Sequence, residues 1–176
     1  MERGFSGTRT RDIADEAEIN LALLNYYYRS KENLFNIIII EKLNKLIEIM
    51  LNIIGDDSLD FSGKLSKMVN KYTDLMIKDS NLPLFLMGEV QQNPDFFTEK
   101  LNIRSKALNL TFNLKDKETE TQLVLDIISL TFYPFTVRKA LEGIYNMTPE
   151  QYDQLLNKRR EIIPKYLTEI YPKYGK

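Results

Sequence analysis

Apolar residues in this chain recur three and four positions apart, and that spacing is the strongest constraint on its fold. Strand signals are weak and no repeat period is visible. Leu34, Ile37, Ile38, Leu43, Leu46, Ile47, Met50 and Ile54 form one such stripe and predict a helix from Lys31 to about Ile54, with Ser30 as its cap. Before it, a helix is predicted from about Arg9 to Ala17. Thr8 or Thr10 caps it, Asp12 sits in its first turn, and Ile13, Ala14 and Ala17 form its apolar face. After a break at Glu18 to Asn20, Asn20 caps a second short helix, Leu21 to Tyr28.

Past the loop Gly55-Asp56-Asp57-Ser58, Asp60 or Ser62 starts a helix carrying Leu65, Met68, Val69, Tyr72, Leu75 and Met76. Asn81-Leu82-Pro83 opens a shorter one through Val90, and Asp95 to Leu110 is helical again. A polar connection, Leu114 to Glu118, leads to a long helix from about Glu118 to Tyr145, kinked or broken by Pro134. In Thr148-Pro149-Glu150-Gln151, an N-cap threonine, a proline at the first helical position and a reciprocal glutamine start the last helix. Pro164 has to bend it. The fold class is all-α.

Composition narrows the chemistry. The 176 residues suffice for one sizeable core. There is no cysteine, which excludes disulfides and thiolate metal sites, and no histidine, the commonest general base and transition-metal ligand. No catalytic constellation, metal site or cofactor site stands out, so the chain does not read as an enzyme. Lys and Arg number 24 against 25 Asp and Glu, so overall charge lends no support to nucleic-acid binding. No signal-peptide pattern opens the chain, and the most apolar stretch, Leu34 to Ile40, is too short to span a membrane; a cytoplasmic protein is expected.

Two short helices joined by about three residues have helix-turn-helix spacing. In such a unit the first helix braces on the DNA backbone while the N-terminal part of the second enters the major groove. Ala14 and Ala17 let the helices cross closely, and Ile19 and Leu24 plug the junction.

The residues of this segment are Arg11-Asp12-Ile13-Ala14, Ala17, Ile19-Asn20, Leu24-Asn25-Tyr26-Tyr27-Tyr28 and Ser30-Lys31-Glu32-Asn33-Leu34-Phe35. Their order and spacing resemble the TetR family of repressors. Gly4-Phe5 matches the pair that follows that family's first helix. The resemblance covers roughly the first forty residues and implies two parts. Residues 1–46 would form a helix-turn-helix DNA-binding domain, and residues 47–176 a helical ligand-binding and dimerisation domain.

By that resemblance Thr10 and Arg11 touch phosphates, although Thr10 serves equally well as a cap. Asn20, Leu21, Ala22 and Asn25 belong to the reading surface. Leu21 and Ala22 suit thymine methyls, and Asn25, where the family has tyrosine, suits adenine. Tyr26 contacts phosphate or sugar, Tyr27 either contacts DNA or packs, and Tyr28 is core. Lys31 neutralises a phosphate at a helix start. Glu18 replaces the family's turn glycine, so the turn is made without glycine's freedom. The family's first helix lies before Gly4, so nearly all of it is absent, and an uncovered apolar patch at Ile13, Ala17 and Leu24 is expected.

In the body, Tyr72, Met76, Phe85, Met87, Phe96, Phe97, Phe112, Phe132, Tyr133 and Phe135 fall on helices that line the ligand cavity in that family. Their methionine and aromatic character suits a small apolar or aromatic effector, and ordinary core is the alternative for any one of them. The last two helices resemble the family's dimerisation element. A homodimer would set two recognition helices about one DNA turn apart on a palindromic operator. The functional reading is thus a ligand-controlled transcriptional regulator, a repressor by resemblance. The alternative is a dimeric helical ligand-binding or interaction protein that no longer binds DNA. Neither reading involves a membrane.

Overall fold

In the computed structural model, residues 7–78, 82–83, 87–88, 112 and 114–171 are described. Seven helices are defined among them: α1 Thr10–Glu16, α2 Leu21–Tyr28, α3 Lys31–Ile54, α4 Phe61–Lys78, α5 Lys117–Thr136, α6 Arg138–Ile144 and α7 Pro149–Ile170. The described residues contain no strand, and the chain is all-α. No helix among them is long and apolar enough to cross a membrane. The expected helices at Asn81 to Val90 and Asp95 to Leu110 lie largely or wholly outside the described residues.

The caps explain the boundaries. The Asn20 side chain accepts from the Ala22 N–H at 2.8 Å, and Ser30 Oγ accepts from the Asn33 N–H at 3.1 Å. Asp60 Oδ1 takes the Gly63 N–H, and Asp116 Oδ1 takes the Thr119 N–H. Hydrogen bonds at the Thr119 end hold the Asp116 carboxyl below its ordinary range. Thr148 and Gln151 cap each other reciprocally at the start of α7.

One expected cap is wrong. Neither Thr8 nor Thr10 caps α1: Arg9 occupies the cap position and Thr10 is already helical. Asp12 stabilises this start by accepting the Arg9 N–H at 3.0 Å, which places its charge against the free amides of the first turn.

The body is built on α3, α4, α5 and α7, and its buried residues separate into two clusters. The distal one joins Ile53, Leu65, Val69, Leu123, Ile127, Ile163 and Leu167. The proximal one joins Phe35 and Ile39 of α3 to Met76, Leu82, Phe135, Tyr152 and Leu156. Between them the same helices carry polar groups. Thr73 and Thr131 are buried, and Thr131 Oγ1 donates to the Ile127 carbonyl. Arg160 reaches from α7 to the Asn70 carbonyl at 3.1 Å and to Asp74 at 2.7 Å.

Pro134 shows why this level needs polar side chains. A proline inside a helix has no N–H for the carbonyl four residues earlier, here Leu130. Arg159 Nη2 donates to that carbonyl at 2.9 Å from α7. The Tyr152 hydroxyl donates to the carbonyl of Pro134 itself at 2.7 Å. The helix break comes at Val137, three residues after the proline, and α6 resumes at Arg138. Arg138 pairs with Glu142 within α6 and clamps α6 to α7 through Asp153 and the Pro149 carbonyl, with its guanidinium over the Tyr152 ring. α7 itself continues unbroken through Pro164.

Candidate DNA-reading head and ligand wall

The head is small. Ala14, Leu24 and Leu34 are buried together, with Ile13, Leu21, Tyr28 and Ile38 packed around them. Ala14 is the small residue at the α1–α2 crossing, and Leu24 is the plug. Ile19, expected to share that role, is 36% exposed. Its position in the turn explains this. Glu18 has φ 55°, the Ile19 N–H donates to the Ala14 carbonyl, and the Glu18 N–H donates to the Asp15 carbonyl. These two bonds form a Schellman ending, in which the chain reverses at Glu18 and carries Ile19 past the helix.

The expected apolar patch is also only partly present. Leu24 is buried and Ile13 half-buried because Ile13 packs against both the head cluster and the proximal body cluster; Ala17 is exposed. Glu18 adopts the left-handed conformation at a cost of about 1–2 kcal/mol to a residue with a Cβ. Glycine would remove that cost but lose about 0.5–1 kcal/mol of backbone entropy. Glu18→Gly is therefore expected to stabilise the chain by about 0.5–1 kcal/mol, measurable as a higher denaturation midpoint. A lower midpoint would refute this account of the turn.

A second positive-φ residue separates α2 from α3. Arg29 has φ 61° and ψ −43°, and across it the Ser30 N–H donates to the Tyr28 carbonyl at 2.7 Å. This is a γ-turn of the rare, strained hand. Asn33 Nδ2 supports it by donating to the same carbonyl at 3.0 Å. The tight reversal sets α2 against the start of α3.

The outward surface of α2 is exposed at Ala22, Leu23, Asn25, Tyr26 and Tyr27, and Leu21 is half-buried. Tyr26 and Tyr27 meet edge to face at 5.4 Å and are 77% and 68% exposed, so Tyr27 is not a packing residue. Tyr28 is half-buried against the head cluster. Asn20 spends its side-chain oxygen on the cap. Thr10 is half-buried and Arg11 exposed at the start of α1. Lys31 Nζ donates to the Thr8 carbonyl at 3.1 Å, which draws its charge towards the entry of α1.

A helix-turn-helix with this exposed second helix has counterparts among bacterial regulators. Residues 1–38 match the family model for bacterial regulatory proteins, tetR family. The N-terminal segment is thus similar to the TetR family of bacterial regulators. The chain is also similar to a probable HTH-type transcriptional regulator, YttP, of Bacillus subtilis (strain 168). The two are 23% identical over 163 residues, which cover 85% of this chain and 78% of that protein.

The candidate ligand residues of the body do not all meet. Tyr72, Met76 and Phe132 share the proximal cluster, with Met76 fully buried. Burial pushes the Tyr72 hydroxyl above its ordinary range. Phe112 instead belongs to the distal cluster, edge-on to Phe61 at 6.0 Å. Met87 is 43% exposed and is not among the described residues of either cluster. Phe85, Phe96 and Phe97 lie outside the described residues. Of the other two candidates, Phe135 belongs to the proximal cluster and Tyr133 is exposed on α5. Tyr152 of that cluster is not among the candidates: its helical spacing fits ordinary core equally well, and only the packing joins it to Tyr72.

The last two long helices leave apolar side chains uncovered. Val124, Leu125, Ile128 and Tyr133 on α5, and Leu155, Ile162, Tyr166 and Ile170 on α7, are 37–62% exposed. At spacings of seven, four and four residues along α7 they form a stripe beside the buried face.

Proposed function

We propose that this chain is a cytoplasmic repressor of the TetR type. It acts as a homodimer through α5 and α7, and a small apolar or aromatic molecule in the helical body controls its grip on a palindromic operator. Thr10, Arg11, Lys31 and Tyr26 serve the DNA backbone in this reading, and Leu21, Ala22 and Asn25 the bases. Asn20 holds the recognition helix in shape, and Tyr27 stands on the same exposed side.

The observation that carries the proposal is the make-up of the proximal cluster. Tyr72, Met76 and Phe132, the candidate ligand wall, pack in one cluster with Phe35 and Ile39 of α3 and with Ile13 of α1. A molecule that spreads this wall displaces the helix that carries the head. Packed interiors respond to such insertion by shifting whole elements. In a dimer, that shift changes the distance between two recognition helices, and a wrong distance cannot satisfy both half-sites.

The decisive measurement is operator affinity with and without a ligand found by thermal-shift screening, since a binder of the folded state raises its melting temperature. A coupling of 1–3 kcal/mol, typical of allosteric proteins, would change affinity by about 5–150-fold. An unchanged affinity at saturating ligand would sink the proposed control.

A further inference from the structure

The recognition helix carries an unusually narrow set of side chains. From Asn20 to Tyr28 it reads Asn-Leu-Ala-Leu-Leu-Asn-Tyr-Tyr-Tyr, with no charged residue and no Gln, Ser or Thr. Leu24 is buried, and the Asn20 oxygen is committed to the Ala22 N–H. What faces outwards is Ala22, Leu23, Asn25, Tyr26 and Tyr27. Ala22, Asn25 and Tyr26 stand three and four residues apart, on the side away from Leu24.

Each base pair in the major groove asks for a particular partner. Guanine is read mainly by a bidentate Arg or Lys on O6 and N7, and the cytosine amino group by Asp or Glu. α2 has none of these. Adenine is read by a bidentate Asn or Gln on N6 and N7, and the thymine methyl by small or apolar side chains. α2 presents both, in Asn25 and in Ala22 with Leu23. The nearby cations lie off the helix. Arg11 is on α1, Arg29 is in the strained turn after α2, and Lys31 leans on the Thr8 carbonyl. Their positions suit phosphates on either side of the groove.

From this inventory we infer that α2 reads a run of A·T base pairs. Asn25 discriminates by pairing with adenine, and Ala22 and Leu23 bear on thymine methyls. The inference rests on the proposed DNA-binding function and names the class of sequence that function would recognise.

The test is selection of the full chain on a random double-stranded DNA library, followed by affinity measurements on the selected half-site. An A·T core is expected. Replacing the contacted adenine by 7-deazaadenine, which lacks N7, is expected to weaken binding by about 10-fold. Replacing thymine by uracil, which lacks the methyl, is expected to cost about fourfold. Asn25→Ala should lose about 10-fold on the selected site, abolish the 7-deaza effect and leave binding to unrelated duplex unchanged. A G·C core, or an A·T core indifferent to both base analogues and to Asn25→Ala, overturns the inference alone. A guanine requirement that disappears in Arg29→Ala does the same, because the reader is then the turn and not the helix. A selection that enriches no sequence, with no duplex binding, overturns the proposed function and this inference with it.

Discussion

Ile128→Glu combined with Ile162→Glu is expected to convert a dimer into a folded monomer and to lower operator affinity by at least 100-fold. Both side chains are well exposed in the isolated chain, 48% and 57%, so glutamate costs the monomer little. In a dimer joined through α5 and α7, the same positions are taken out of water. Each copy then buries two carboxylates against an apolar surface, at a penalty of several kcal/mol per ion unless they are paired. A monomer binds one half-site at a time and loses the effective concentration that links the two heads. Sedimentation equilibrium gives the mass, and far-UV circular dichroism confirms that the helices persist. A variant that remains dimeric would place the interface elsewhere. A parent chain already monomeric at high micromolar concentration would remove the dimer from the proposal.

Leu24→Ala is expected to melt the reading head while the body stays folded. Leu24 is 2% exposed and is one of three buried residues in the head cluster. Removing a buried leucine side chain costs about 2–5 kcal/mol, more where the site cannot collapse. α1 and α2 have 7 and 8 residues, too short to hold helical structure without tertiary support. The loss should therefore appear as local unfolding. Amide hydrogen exchange is the measurement. Protection in residues 21–28 should vanish while protection in α7, anchored by Leu156, Ile163 and Leu167, stays near that of the parent chain. Equal loss in both regions would show that head and body unfold as one unit, with Ile13 and Phe35 binding them more tightly than this account allows.

The hydrogen exchange of α3 is informative in the same experiment. This helix runs without interruption from Lys31 to Ile54, across the expected domain boundary at residue 46. Its first turns serve the head through Leu34 and Ile38. Phe35 and Ile39, on the adjacent side of the helix, serve the proximal body cluster. α3 therefore links head and body through two faces of one helix, and Ile13 of α1 adds a second contact.

Much of this architecture can be read from local chemistry. The start of α2 at Leu21, the start of α3 at Lys31 and the start of α7 at Pro149 follow from Asn20, Ser30 and Thr148, whose side chains satisfy amides within three residues. Local chemistry misled at α1, because a threonine beside a helix start looks like a cap, whereas Asp12 did the stabilising from inside the helix. It misled again at Ile19. Hydrophobicity says that a side chain prefers burial, but only the path of the backbone says whether it reaches a core.

By itself the sequence determined the helix-turn-helix, its likeness to TetR-type regulators and the uncharged character of the recognition helix, because these depend on residue types and on spacings of a few positions. Only the tertiary structure decided the rest. Tyr72, Met76 and Phe132 share a cluster with α3 while Phe112 does not. The carbonyl freed by Pro134 is met by Arg159, from 29 residues further along the chain. Leu24 is covered, and Ile13 joins the head to the body. These are contacts between residues remote in the chain, and no local propensity encodes which of several apolar faces will meet.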